Sequence, residues 1–264
     1  MKPFMDKEEI RKKWDQEAVT HMTSKSASWN DLLILRETRL LSRYLRAVEH
    51  VLDAGCANGF STIRYVADHS QLRALGVDFS SEMIKMAQIN RDALGLDKKN
   101  RIEFREGDVL NLSDCLKGAQ FDTVITKRVI CNLISEDEQV QSAINFHKAL
   151  KPHGLYLCSE PSIEGLESVN RLRDRWGLSA MEEPWHNLYL RESTFIPRLS
   201  NYFDLVKIDY FASTYYFGSR VFHAWLAKLF NFETKHNSPI NYIAQLLPSL
   251  GSTGIQRLFV FRKK

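Results

Sequence analysis

Five short apolar runs, at residues 50–54, 72–77, 101–105, 121–126 and 155–159, alternate with stretches whose apolar residues recur at helical spacing. Parallel strands cannot be joined by a hairpin, and a helix is the usual crossover between them. The alternation therefore predicts βαβ units, an α/β fold, and a Rossmann-like open sheet with helices on both faces. Helical patterns begin near Ser61, Ser80 and Leu110, and a longer one covers 136–150 before the Lys151-Pro152-His153-Gly154 turn. In such a sheet, ligands bind in the crevice outside the carboxyl ends of the strands.

The flanks are less regular. Residues 7–45 have a helical pattern broken by the polar stretch His21 to Asn30, so 1–48 reads as an N-terminal helical cap on a domain spanning 49–264. After Pro161, helices are expected at 163–176 and 192–202, and strands at 203–211 and 256–262. The connection at 212–253 is rich in Tyr, Phe and His, and too long to be filler. Insertions at about 161–202 and 212–255 are therefore expected to bind substrate, the second as a lid. The apolar content of 44% over 264 residues supports a large core. A net charge of +4 leaves room for an anionic small substrate but falls short of a dedicated nucleic-acid binder, so no DNA partner is expected. Cys56, Cys115, Cys131 and Cys158 lack the spacing of a metal or disulfide framework, and no metal is expected. The N-terminal MKPFMDKEEIRKKW has no apolar segment of signal-peptide type, and no run is long enough for a membrane span. The expected setting is cytoplasmic.

The stretch VLDAGCANGFS, from Val51 to Ser61, places Asp53 at the end of the first strand and Gly55 to Gly59 in the turn to a helix. Such a turn suits packing, a phosphate cradle or a cofactor loop. Asp78 ends the second strand, where an acid can accept bonds from both ribose hydroxyls. Asp108 ends the third, within reach of an adenine amino group. Each acid alone reads as a helix cap or turn residue. Three of them facing one crevice point to a ligand with a ribose and a base. An acid just before the glycine turn suits an amino group better than a diphosphate.

These residues resemble the class I S-adenosyl-L-methionine (SAM)-dependent methyltransferases. The family's D-x-G-x-G-x-G motif matches Asp53, Gly55 and Gly59, with Ala57 in place of the middle glycine. The resemblance covers about 45–161 and implies a seven-stranded sheet whose last strand is antiparallel. It assigns the cofactor SAM to the turn, with Cys56, Ala57 and Asn58 beside the glycines. Asp78 with Phe79 and Met83 would hold the ribose side, and Asp108 with Val109 the adenine. Lys127 completes the shell. Arg36 is the candidate for the cofactor carboxylate, and Trp14 and Arg39 would close over it.

Methyl transfer is an in-line displacement, so the protein mainly aligns the reacting atoms, with a general base helping a hydroxyl acceptor. His186, between Trp185 and Asn187, is the first candidate for that base, and His223 the second. Arg128 would contact an acidic acceptor, although a helix-end salt bridge is the plainer reading. Trp185, Tyr189, Tyr215, Tyr216 and Arg220 are expected to line the acceptor pocket. The sequence Thr126-Lys127-Arg128-Val129 stands where DNA amino-methylases carry an Asp/Asn-Pro-Pro-aromatic motif, which disfavours DNA bases. The region from Trp185 to Tyr216 looks like methyltransferases of bacterial surface-polysaccharide pathways. That likeness implies O-methylation of a sugar, phosphorylated or nucleotide-linked metabolite in capsule biosynthesis, by a monomer or homodimer. Methylation of a protein or RNA group, a non-catalytic SAM-binding scaffold and an aminopropyltransferase are the alternatives.

Overall fold

The strands are β1 (His50–Ala54), β2 (Arg73–Asp78), β3 (Ile102–Glu106), β4 (Phe121–Lys127), β5 (Leu150–Pro161), β6 (Phe203–Asp209) and β7 (Gln256–Lys263). They form one sheet in the order β3-β2-β1-β4-β5-β7-β6. The first five are parallel, and β7 runs antiparallel between β5 and β6. The order reverses between β1 and β4, which opens the crevice where a ligand is expected. The computed structural model describes residues 6–20, 31–234 and 238–264; the expected break at His21 to Asn30 lies outside the described residues.

Helices cover both faces, so the central strands are buried on both sides and read as apolar runs rather than alternating ones. One core packs Tyr65, Val66, Phe104 and Ile125; the other packs Phe121, Phe146, Tyr156, Phe259 and Phe261. Among the described residues, two helices precede the sheet, α1 (Lys7–Thr20) and α2 (Asp31–Ser42). Helices α3 (Phe60–Asp68) and α4 (Ser81–Asp92) follow β1 and β2. Ser80 caps α4 by accepting from the Met83 N–H at 3.1 Å. The helix Glu136–Ala149 starts behind the Ser135 cap with three acids in its first turn and ends with His147 and Lys148, matching its dipole at both ends.

Three expectations shift. The helix expected from Leu110 is a single turn, Ser113–Leu116. Asn111, Ser113 and Asp114 bond to one another there instead of supporting a longer helix. The fifth strand is longer than 155–159 because Leu150 pairs with Phe121 before the register shifts, with His153 at φ 59 in between. The sixth ends at Asp209 rather than 211, since Phe211 turns into the core.

The excursion after β6 is helical without a break from Ser213 to Phe230, with a π-helical segment at Phe217–Phe222, and also contains the helix Pro239–Leu246. No described helix is long and apolar enough to cross a membrane.

Candidate active site

The turn after β1 is shaped by backbone angles that few residues accept. Gly55 has φ +80, and a Cβ there would lie 2.1 Å from Val129 Cγ2, so both conformation and space demand glycine. Ala57, where the motif has glycine, is also left-handed at φ 48. Its N–H donates to Asp78 Oδ2 at 2.8 Å, which ties the turn to the end of β2. Gly59 has a different role. A Cβ there would meet Phe104 Cζ at 2.5 Å, so it lets the start of α3 approach β3 and does not line the cavity.

Around this turn opens a cavity of about 690 Å³, a usual size for a small-ligand site. Asp53, Asp78 and Asp108 all line it, with Gly55, Cys56, Ala57, Asn58, Phe79, Met83, Val109 and Lys127. The three strand-end acids do share one crevice. Asp53 is buried and accepts from Thr62 Oγ1 at 2.5 Å. Burial pushes its carboxyl up; the Thr62 bond and the Lys127 charge pull it back. Burial likewise raises Asp78 to about 6, against the bonds it accepts from Ser80 and Ala57 N–H. Lys127 donates to Ser61 Oγ, and burial lowers its ammonium to about 8 while the Glu37 charge opposes that. Asp108 is exposed and accepts from the Leu110 N–H at 2.9 Å.

Helix α1 contributes Arg11 and Trp14 to the lining and crosses several strand ends. Arg11 pairs with Glu106 at the end of β3 at 2.8 Å, Lys7 with Glu138 at 2.7 Å, and Asp15 accepts from Ser80 Oγ at 2.5 Å.

At the ends of β4 and β5 the site is built on an ion pair whose carboxylate is buried. Arg128 follows β4 in the left-handed region, φ 58, an uncommon conformation for a residue with a Cβ. Its Nη2 lies 2.6 Å from Glu37 Oε2 of α2, which is fully buried. Glu37 also accepts from Ser159 Oγ and, at 2.9 Å, from Gln256 Nε2 of β7. Burial works against the charge on Arg128, and Glu37 more than restores it. Glu160, at the end of β5, accepts from the N–H groups of Val129, Ile130 and Cys131 at 2.9, 3.2 and 3.3 Å. Its burial outweighs those bonds and raises the carboxyl to about 7. It fixes the turn that carries Arg128 and Asn132.

The loop before residue 190 forms another wall. Leu188 N–H donates to Cys131 O at 2.6 Å, and Gln139 Nε2 holds Leu188 O at 2.8 Å. This brings His186 and Tyr189 to the cavity, with the His186 ring 6.2 Å from that of Trp14. Tyr216 and Arg220 line it from the long excursion.

Several expected site residues lie elsewhere. Arg36 does not reach the cavity: its Nε donates to Phe211 O at 2.7 Å and its Nη1 to Gln245 O at 2.5 Å, clamping the excursion onto α2. Arg39 points to solvent. His223 is buried outside the cavity, with Nδ1 3.4 Å from Ser238 Oγ and its ring against Phe232; desolvation lowers its pKa. Trp185 is 48% exposed, and Tyr215 is core. The sequence reading missed Glu37. An acid on the same helical face as Leu33, Ile34 and Leu41 was the available signal, since buried carboxylates are rare without a partner.

A family model for a methyltransferase domain matches residues 45–192, more than half of the chain. A probable methyltransferase of Aspergillus luteorubrus is 26% identical over 130 residues, 48% of this chain and 45% of that protein. A carboxy-S-adenosyl-L-methionine synthase of Campylobacter curvus is 28% identical over 142 residues, 54% and 57% of the two chains. The chain thus spans about half the length of these curated relatives. The structure of magnesium protoporphyrin IX methyltransferase from Synechocystis PCC 6803, solved with bound S-adenosylhomocysteine (SAH), superposes with a TM-score of 0.62. It covers 98% of this chain and 100% of that one at 14% identity, a likeness of fold.

Proposed function

The chain belongs to the methyltransferase-domain family and has the class I SAM-dependent methyltransferase fold, and from that premise we propose that it moves a methyl group from SAM to a small-molecule acceptor. The observation that carries this reading is the meeting of Asp53, Asp78 and Asp108 in one cavity around the glycine turn. When bound, SAM supplies an electrophilic methyl on a sulfonium. The donor set fits it. Asp53 would take the ammonium, and Lys127 with the first N–H groups of α3 the carboxylate, the part first expected of Arg36. Asp78 would accept the ribose hydroxyls, and Asp108 would meet the adenine edge.

The acceptor would enter between the 161–202 and 212–255 segments, with residues 1–48 capping the site. His186 is the side chain proposed to take the acceptor proton, since it lines the same cavity. The finer reading, O-methylation of a sugar, phosphorylated or nucleotide-linked metabolite of surface-polysaccharide biosynthesis, is supported by the likeness of residues 185–216 alone.

The test is SAH release from SAM by the purified protein with separate pools of sugar nucleotides, phosphorylated metabolites, RNA and protein. Turnover confined to a small-molecule pool is the expected result. Turnover on RNA or protein alone would overturn the acceptor class, and SAM binding without turnover on any pool would favour a scaffold.

A pH window follows for cofactor affinity. Asp78 carries its charge above about pH 6, and Lys127 keeps its charge below about pH 8. SAH affinity, followed by calorimetry from about pH 5 to about pH 9, is expected to fall on both sides of that interval, reporting the groups of the free protein. A flat profile through both limits would remove Asp78 and Lys127 from the cofactor shell.

A further inference from the structure

Three arginines line the cavity; Arg11 pairs with Glu106 at 2.8 Å, and the other two differ in one respect that bears on the acceptor. Arg128 has its charge answered by Glu37 at 2.6 Å. Arg220 has no such partner: among the described residues no carboxylate lies within ion-pair distance of it, and its Nε is buried without a hydrogen bond. A guanidinium offers five donors in a planar fork. Burying part of that fork unbonded is unfavourable unless a ligand completes it.

The backbone holds Arg220 in place. It lies on the π-helical segment Phe217–Phe222, a rare widened turn that re-aims side chains and recurs at functional sites. Arg173 Nη1 donates to Arg220 O from the neighbouring helix. Gly218 allows close approach of the helix Pro239–Leu246, since a Cβ there would meet Ala244 Cβ at 2.5 Å.

The neighbours of Arg220 are donors as well. Tyr216 and Tyr189 line the same cavity. Burial raises Tyr216 to about 12 and raises Tyr189 further, while the nearby Arg220 charge opposes both. Both phenols therefore keep their O–H at neutral pH. Glu183 accepts from the Tyr189 N–H at 2.8 Å.

We propose that Arg220, flanked by the hydroxyls of Tyr216 and Tyr189, binds an oxyanion of the methyl acceptor, a phosphate or a carboxylate. This rests on the methyl-transfer reading for the identity of the ligand, not for the existence of the subsite. A guanidinium fork matches either oxyanion in two-point geometry. The acceptor is then anchored by its anionic group, leaving its nucleophilic atom to be aligned toward the methyl.

The test titrates inorganic phosphate and, separately, acetate into the SAH-loaded protein, read by calorimetry. Wild type is expected to bind one of the two better, which identifies the oxyanion. Arg220→Gln is expected to weaken that binding at least about tenfold, with R220K in between because it keeps the charge and loses the fork. SAH affinity and thermal stability should hold in both variants, since the charge removed has no partner in the fold. Undiminished anion binding in Arg220→Gln would overturn the proposal, as would failure of wild type to bind either anion. Loss of stability in Arg220→Gln together with restored folding in R220K would assign the residue a structural role instead. Failure of wild type to bind SAH at all would count against the methyl-transfer reading, while phosphate or acetate binding that depends on Arg220 would still establish the subsite.

Discussion

Asp78→Ala is expected to weaken SAH binding by about two to four orders of magnitude. Two hydrogen bonds from ribose hydroxyls to an ionised acceptor are worth roughly 1.5–3 kcal/mol each, and about 1.4 kcal/mol is tenfold in affinity. The loss reaches beyond the ribose. Asp78 Oδ2 accepts from the Ala57 N–H at 2.8 Å and Oδ1 from the Ser80 N–H at 3.0 Å. Removing the carboxylate frees a turn whose middle residue, Ala57, is held in a left-handed conformation unfavourable to alanine by about 1–2 kcal/mol. Asp78→Asn keeps the size and one acceptor oxygen, so it should fall between wild type and Asp78→Ala. Calorimetry with SAH gives the ranking, and an affinity unchanged in Asp78→Ala would remove the ribose assignment.

The second large effect concerns stability. Glu37→Leu leaves the half-buried Arg128 guanidinium with its counter-charge gone, and Ser159 and Gln256 lose their common acceptor. Breaking one side of a buried ion pair costs about 3–5 kcal/mol. At about 2–4 °C per kcal/mol for a chain of this size, the melting temperature should fall by roughly 6–20 °C. The double variant Glu37→Leu with Arg128→Leu should recover part of the loss, because neither charge is then stranded. Denaturant unfolding of the two single variants and the double variant measures this coupling. Strict additivity would mean that the pair is not the source of the destabilisation.

The strand ends were readable in the sequence because each rule acting on them is local. β1 occupies 50–54 as its apolar run indicated, and the turn behind it follows from what glycine alone tolerates at Gly55. Asp78 and Asp108 announce themselves as acids closing apolar runs, and both reach the cavity. The acceptor side was less legible. Whether Arg36 or Arg128 faces the cavity depends on carbonyls contributed by Phe211 and Gln245, far away in the chain. The π-helical segment that carries Arg220 departs by one widened turn from a pattern that otherwise reads as plain helix. His223 and Tyr215 follow the same aromatic pattern as Tyr216, and packing alone separates core from lining.

The place of β7 in the sheet also sets a timetable for synthesis. Among the described residues, β6 pairs with β7 only, and β7 fills the gap between β5 and β6. The parallel strands β1 to β5 can pair as they emerge, but β6 must wait for about fifty more residues before it has a neighbour. The same late strand supplies Gln256, which closes the Glu37 network. A nascent chain can therefore assemble its cofactor half early, while the half proposed to align the acceptor waits on a long-range pairing of the kind that folds slowly. The emerging β6, apolar at Phe203, Leu205 and Val206, is the edge most exposed to misassembly during that interval.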